Sequence, residues 1–228
     1  MDKKLLICIP TYSWLFTTDM VESLLRLKKP CPSLIQLIER QRIDKSRNRG
    51  IKQMLDSWST HLLFIDDDNP IPENSIELLL ENADKDIVCV PIPTRNPNPQ
   101  TWFHDLCIFR SKFVWDINIY ENINKVDLSE WYLIPVDACW MWCTLISRKV
   151  CEEMYKKYNW DAFAFGDTTY VVKDEDVNKN RRTTWEDIEF CERCTKLWFQ
   201  IFCDTRIRPY HIGRPMTYKF NNNYIING

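Results

Sequence analysis

Glycine is scarce in this chain, with only 4 in 228 residues, where an average usage of roughly 7% predicts about 16. Gly50, Gly166 and Gly213 stand alone, and Gly228 is the last residue. The shortage excludes a G-x-G-x-x-G dinucleotide loop and a G-x-x-x-x-G-K-[ST] phosphate loop, since both need clustered glycines. Any handling of phosphate must rest on other groups. Long apolar runs are missing too: none approaches the roughly 20 residues of a membrane span. Met1 to Pro10 lacks the longer apolar core and small-residue cleavage site of a signal peptide. Nor is there an excess of one charge. Against 32 Asp and Glu stand 30 Lys and Arg, a net −2, so no basic face argues for nucleic acid as a partner.

What is present fits a soluble globular chain: 45% hydrophobic and 27% charged residues, in a length that suits one large domain with a sizeable core. Ten cysteines suggest a disulfide framework until their context is read. Cys8, Cys89, Cys107 and Cys203 sit in apolar, strand-like runs, where a thiol behaves as a small buried hydrophobe. Cys191 and Cys194 form the one C-x-x-C, with no second pair at zinc-ribbon spacing. Reduced core thiols and a cytoplasmic location are the expectation.

The first ninety residues alternate between two periods. Lys4 to Ile9, Leu34 to Ile38, His61 to Ile65 and Asp86 to Val90 read as strands. Helices are expected over Met20 to Leu27, capped from Thr17, Thr18 or Asp19, over Lys45 to Trp58, capped by Asp44, and over Glu73 to Leu80. Such alternation implies a mostly parallel sheet with helices on both faces, with ligands bound outside the carboxyl ends of the strands. Beyond Pro91 come an extended proline-rich connection, an aromatic stretch, a strand over Cys139 to Ser147 and a helix over Lys149 to Tyr158. Phe165 to Thr184 shows no periodicity and reads as a mobile loop. Thr184 is placed to cap a further helix, Ile201 to Cys203 forms a short last strand, and Asn221 to Asn223 begin a polar tail.

Three motifs carry chemistry. Asp66, Asp67 and Asp68 directly follow an apolar strand, where a doubly wound sheet has its ligand crevice. Three adjacent carboxylates repel one another unless a cation or donors compensate, and hard oxygen ligands suit Mn²⁺ or Mg²⁺. The alternative is a helix-entry loop capped by Asp68 or Asn69, which needs only one acidic group. Glu186 and Asp187 open a helix, where carboxylates are common because they satisfy free N–H groups and complement the dipole. His211 follows a strand and precedes Gly213, which permits close backbone approach.

The set resembles the nucleotide-sugar-dependent glycosyltransferases of the GT-A fold, especially the family-2-like group. Ile9-Pro10-Thr11-Tyr12 looks like the first-strand element facing the nucleoside, and Ser46-Arg47-Asn48-Arg49-Gly50 like the helix start approaching base and phosphates. Asp66 to Asp68 looks like the metal-binding D-x-D, Val136 to Arg148 like the stretch lining donor sugar and acceptor, Trp185-Glu186-Asp187-Ile188 like the "ED" helix, and His211 like the C-terminal metal histidine. The resemblance implies a single GT-A domain over 1–228, with a nucleotide-binding half at 1–90 and an acceptor-side half at 91–228.

It further implies transfer of a sugar from a nucleotide diphosphate-sugar, UDP- or GDP-linked, to a hydroxyl of a carbohydrate or glycoconjugate acceptor. Pro10, Thr11, Tyr12, Arg47, Asp66 and Asp67 would serve the donor. Asp66, Asp68 and His211 would hold Mn²⁺ or Mg²⁺, and Asp187, with Glu186 beside it, would act as the base of an inverting reaction. Its place at a helix N-terminus is expected to favour the charged form. Where the family has glycines, this chain has Ala138-Cys139-Trp140-Met141-Trp142-Cys143, and the two tryptophans either stack on a sugar or pack. Pro70 stands where a haloacid-dehalogenase-type phosphatase would need Thr or Val. Ile9 to Trp14 lacks the Gly-rich basic loop of a nucleotidyltransferase. A non-catalytic nucleotide-sugar or carbohydrate-binding module of the same fold is the non-enzyme alternative.

Overall fold

The computed structural model describes residues 2–11, 16–39, 41–94, 96, 104–114, 117–123, 132–171, 181–212 and 217–218. Tyr12, Gly213 and the polar tail lie outside this set. Seven strands form the main sheet: β1 (Leu5–Thr11), β2 (Ser33–Glu39), β3 (His61–Ile65), β4 (Ile87–Cys89), and three strands from the second half. Between the first four run α1 (Thr18–Arg26), α2 (Ile43–Asp56) and α3 (Ser75–Glu81). Next come β5 (Ile108–Val114), β6 (Ile117–Asn122), β7 (Leu133–Val136), β8 (Ala138–Cys139), β9 (Cys143–Ser147) and α4 (Arg148–Tyr158). A 3₁₀ turn (Asn159–Asp161), β10 (Gly166–Val171), β11 (Arg181–Thr184), α5 (Glu186–Lys196), β12 (Ile201–Asp204) and the short pair β13 (His211–Ile212) and β14 (Thr217–Tyr218) complete the order.

The sheet order is β2-β1-β3-β9-β4-β12-β7. Five strands run one way, while β9 and β7 are reversed against their neighbours. The side-chain period of two splits the strands between two cores. Leu6, Cys8, Leu62, Phe64, Ile87, Cys89 and Ile146 face α2, α4 and α5 on one side. Leu5, Ile7, Ile9, Leu63, Ile65, Val88 and Leu145 face α1 and α3 on the other. The α/β fold expected from the alternation is therefore observed, with helices on both faces. A second sheet, β11-β10-β6-β5-β8, joins the first core through Ile108, Ala138 and Cys139.

Four local expectations are corrected. Cys139 to Ser147 is not one strand: it breaks at Trp140 to Trp142, and its halves enter different sheets. The stretch read as a loop, Phe165 to Thr184, contains β10 and β11, paired antiparallel; short polar strands carry no apolar alternation to find. Asp44 does not cap α2 but sits in its first turn, bound to the N-cap residue Arg42. Thr184 ends β11, and Trp185 takes the N-cap position of α5 with no side-chain cap bond. All ten cysteines are free, and nine are buried, Cys31 being the exception. No helix among the described residues is long and apolar enough to cross a membrane.

Candidate functional site

The parallel strands β1 and β3 end side by side, and the acidic run follows β3 directly. The Asp66 N–H donates to the Trp142 carbonyl at 2.8 Å, so the break between β8 and β9 holds the start of the acidic turn. Asn69, fully buried, donates through Nδ2 to Asp68 Oδ1 at 2.6 Å. The Ile212 N–H donates to the Asp68 carbonyl at 2.8 Å and draws β13 against the turn.

That contact sets His211 beside Asp68, with Nε2 3.4 Å from Oδ2. The imidazole is buried, and its Nδ1 lies 3.1 Å from the Pro93 carbonyl. A carbonyl only accepts, so Nδ1 carries a proton, and Nε2 is the nitrogen turned toward Asp68. Trp142 packs edge-on to His211, with ring centroids 4.4 Å apart, and Trp140 lies against Trp142 at the same distance. The arrangement suits a hard divalent cation. The carboxylate is the hard oxygen ligand such an ion takes, and the oriented imidazole nitrogen, with its second nitrogen anchored, is a donor that favours Mn²⁺ over Mg²⁺. The Oδ1 atom of Asn69 is buried without a hydrogen-bond partner, leaving a further hard oxygen next to Asp68. Among the described residues no group of three or more His, Cys, Asp or Glu side chains is already gathered as a ligand shell.

The second half of the site is organised by Arg47, whose side chain is 1% exposed. Its Nη1 and Nη2 each lie 3.3 Å from the Asp66 carboxylate, and Nη1 also donates to the Met141 carbonyl at 3.1 Å. Its Nε is 3.0 Å from Asp187 Oδ1 and 3.6 Å from Glu186 Oε1, ion pairs without a hydrogen bond, the first misaligned and the second too long. The rings of Phe64 and Phe163 flank the guanidinium at 5.6 and 5.9 Å. One buried cation thus joins the first carboxylate of the acidic run to both carboxylates of α5. The helix α2 carries Arg47 this deep because Gly50, one turn on, lies against Phe64, where a Cβ would come within 2.7 Å of the ring.

One guanidinium for three carboxylates leaves negative charge uncompensated. Burial pushes Asp66 up to about 7; Arg47 opposes the rise, and Asp68, Asp187 and Asp67 add to it. Burial also raises Asp187 well above the carboxylate range, with Arg47 again opposing and Glu186 reinforcing. Burial and Glu186 thus oppose the ionisation that the helix N-terminus favours, and Arg47 supports it. Burial lowers the Arg47 pKa, but Asp187, Asp66 and Glu186 outweigh it and raise the guanidinium further.

Of the residues singled out from sequence, Arg47, Asp66, Glu186 and Asp187 form this one cluster, and Asp68 and His211 form the adjoining pair. Pro10 and Thr11 end β1 and are buried. Asp67 is half-buried between its neighbours. Tyr12 lies outside the described residues. Arg47 is turned inward onto carboxylates, and that role was not legible from spacing, because its three partners are scattered over 121 positions from Asp66 to Asp187.

A model of the family described as "Glycosyl transferase family 2" matches residues 13–155. No curated protein matches the chain by sequence. Among solved structures, A197 from STIV is similar over 96% of this chain and 95% of its own, with 14% identity and a TM-score of 0.56. Mannose-1-phosphate geranyltransferase from Thermus thermophilus aligns with 89% of this chain and 74% of its own at 10% identity, with a TM-score of 0.47. S. aureus TarS 1-349 aligns with 89% of this chain and 60% of its own at 13% identity, with a TM-score of 0.44. The likeness to A197 bears on the fold alone.

Proposed function

The chain belongs to glycosyl transferase family 2, and on that premise we propose that it transfers a sugar from a UDP- or GDP-linked donor to a hydroxyl of a carbohydrate or glycoconjugate acceptor. The observation that carries this reading is the convergence of two acidic groups at the carboxyl ends of the strands. Asp66 to Asp68 and Glu186-Asp187 meet through Arg47, and His211 adjoins Asp68. The donor lies across the ends of β1 and β3 with its nucleotide toward Pro10, Thr11, Tyr12 and Asp67. The half 1–90 serves the nucleotide and 91–228 the acceptor.

Asp68 and His211, with Asp66 behind them, would hold Mn²⁺ or Mg²⁺. Such an ion, when bound, supplies countercharge to the departing diphosphate. Asp187 accepts the proton of the acceptor hydroxyl as it attacks the anomeric carbon, with inversion. For that it must be ionised, and Arg47 is the group that favours its ionised form. Arg47, expected at the nucleotide, is reassigned here to holding Asp66 and Asp187 in register.

Titration calorimetry of UDP and GDP with Mn²⁺ and with EDTA tests the donor side. Equal affinity in both sinks the metal reading. A screen of nucleotide-sugars, scored by release of free nucleotide diphosphate, tests turnover. Binding without release from any donor would instead favour the non-catalytic module.

A further inference from the structure

Trp185 is misplaced for the stability of the fold. It holds the N-cap position of α5 without making a cap hydrogen bond, where Ser, Thr, Asp or Asn would stabilise the helix. Its ring is not spent on the core either, since the residue is 52% exposed. Phe165 is 38% exposed. The register explains why the two meet. Gly166 pairs with Thr184 at the base of the β10–β11 hairpin, so Phe165 and Trp185 are the next residues across. Their ring centroids are 6.4 Å apart and tilted by 57°.

The pair is braced from below. The guanidinium of Arg42 lies 5.2 Å from the centre of the Phe165 ring. Arg42 is itself fixed by two hydrogen bonds, at 2.6 and 2.7 Å, to the carboxylate of Asp44, which is 1% exposed. A buried carboxylate therefore orients an arginine, the arginine orients one aromatic face, and that ring flanks the second. Lys45 and Asp161, paired at 2.9 Å and both exposed, border the same helix start with polar groups. Two residues along the chain from Trp185 is Asp187, held by Arg47.

We propose that Phe165 and Trp185, braced by Arg42, are the acceptor platform, on which the apolar C–H face of a pyranose ring stacks beside Asp187. An aromatic face left in water beside an arginine that is 63% exposed but tied to a buried carboxylate matches a sugar, which offers a C–H face to the ring and hydroxyls to a polar rim. Holding the platform in advance spares the ordering cost on binding. Only the role of Asp187 rests on the glycosyltransfer reading; the stacking does not. Trp58 and Trp198, 90% and 92% exposed, precede β3 and β12 at the opposite ends of the strands and serve as controls.

The test is saturation-transfer NMR on the full chain without donor, using methyl β-D-glucopyranoside, methyl β-D-galactopyranoside and methyl α-D-mannopyranoside as probes. Saturation of ring C–H protons is expected in wild type and in Trp58→Ala, lost in Trp185→Ala and in Phe165→Ala, and restored by Trp185→Phe. With a donor that turns over, Trp185→Ala should raise the acceptor KM about tenfold, the scale of one aromatic stack, and leave the donor KM unchanged. Saturation that fails to appear in wild type, or persists in Trp185→Ala, overturns the proposal. So does a loss of UDP or GDP affinity in place of pyranoside binding, which would make the occupant a nucleobase. Pyranoside binding at Trp185 without turnover of any nucleotide-sugar keeps the platform and removes the transferase reading.

Discussion

Replacing Arg47 by Met removes the charge while keeping an apolar side chain of similar length between Phe64 and Phe163. The structure sets the size of the effect. Three carboxylates lie at 3.0, 3.3 and 3.6 Å from the guanidinium. At an effective dielectric near 20 each such pair is worth roughly 5 kcal/mol gross. Most of that offsets the cost of drying the charges, and breaking a buried pair by removing one partner costs about 3–5 kcal/mol. The loss should depend on pH, and its sign follows from Asp66 and Asp187. Both have folded-state pKa values raised above their unfolded ones, Asp66 to about 7. Proton uptake thus favours the folded state: the gain is complete below the unfolded value near 3.8 and is lost as pH rises through the folded value.

Without Arg47 both carboxylates rise further, and the decline with pH steepens. Urea unfolding followed by tryptophan fluorescence should show Arg47→Met destabilised by about 3–5 kcal/mol at about pH 8. At about pH 5 Asp66 and Asp187 are neutral, and the loss should shrink to about 1 kcal/mol or reverse. Adding Asp187→Asn should recover part of the loss at the higher pH, with a coupling of about 1–3 kcal/mol. Equal losses at both pH values would refute the electrostatic account and leave Arg47 a packing residue.

Other outcomes follow from single contacts. Asp187→Asn should cut transfer by about 10²–10⁴-fold while nucleotide diphosphate affinity holds; affinity that collapses with activity would make Asp187 a binding or structural group. Because burial raises Asp187 and a base works only when deprotonated, wild-type kcat/KM should climb with pH between about 6 and 8, and a flat profile would contradict it. His211→Ala should erase the Mn²⁺-dependent part of nucleotide diphosphate affinity, about 10–100-fold, with little change in affinity in EDTA. Gly50→Ala should lower the melting temperature despite a helix-propensity gain of about 1 kcal/mol, since its Cβ would meet the buried Phe64 ring at 2.7 Å and overpacking costs about 1–3 kcal/mol.

Periodicity was enough to place β1 to β4 and the helices between them: burial on two faces forces uninterrupted apolar runs in β1, β3 and β4, such as His61 to Ile65, while the edge strand β2 keeps an apolar run although Leu34, Ile35 and Leu37 are exposed. It failed where hydrogen bonding rather than burial makes the element. The hairpin of β10 and β11 is short and polar, so nothing in its pattern distinguishes it from a loop. It failed again at Trp140 to Trp142, which look like the middle of one strand. There the Trp142 carbonyl turns to accept from Asp66 and the Met141 carbonyl to accept from Arg47. Candidate residues were legible as types at strand ends, but their grouping was not. Nothing in the spacing says that Arg47 would face inward, or that Trp185 would give up its cap for an exposed ring.

The scarcity of glycine takes on a physical meaning once Arg47 is seen in place. A glycine-cradled site offers neutral N–H dipoles to a phosphate and stays uncharged when empty. This chain instead gathers carboxylates around the ends of its strands, and a site so acidic repels a diphosphate unless a cation is present. Arg47 is fully spent inside the protein, holding Asp66 to Asp187, and its buried charge cannot serve the ligand at the same time. Under the proposed function, the countercharge for a bound diphosphate would come from a cation on the Asp68–His211 pair. A cation on the pair should lower the pKa of Asp66 by direct attraction, and an ionised Asp66 would then draw on the guanidinium it shares with Asp187 and oppose the ionisation of Asp187.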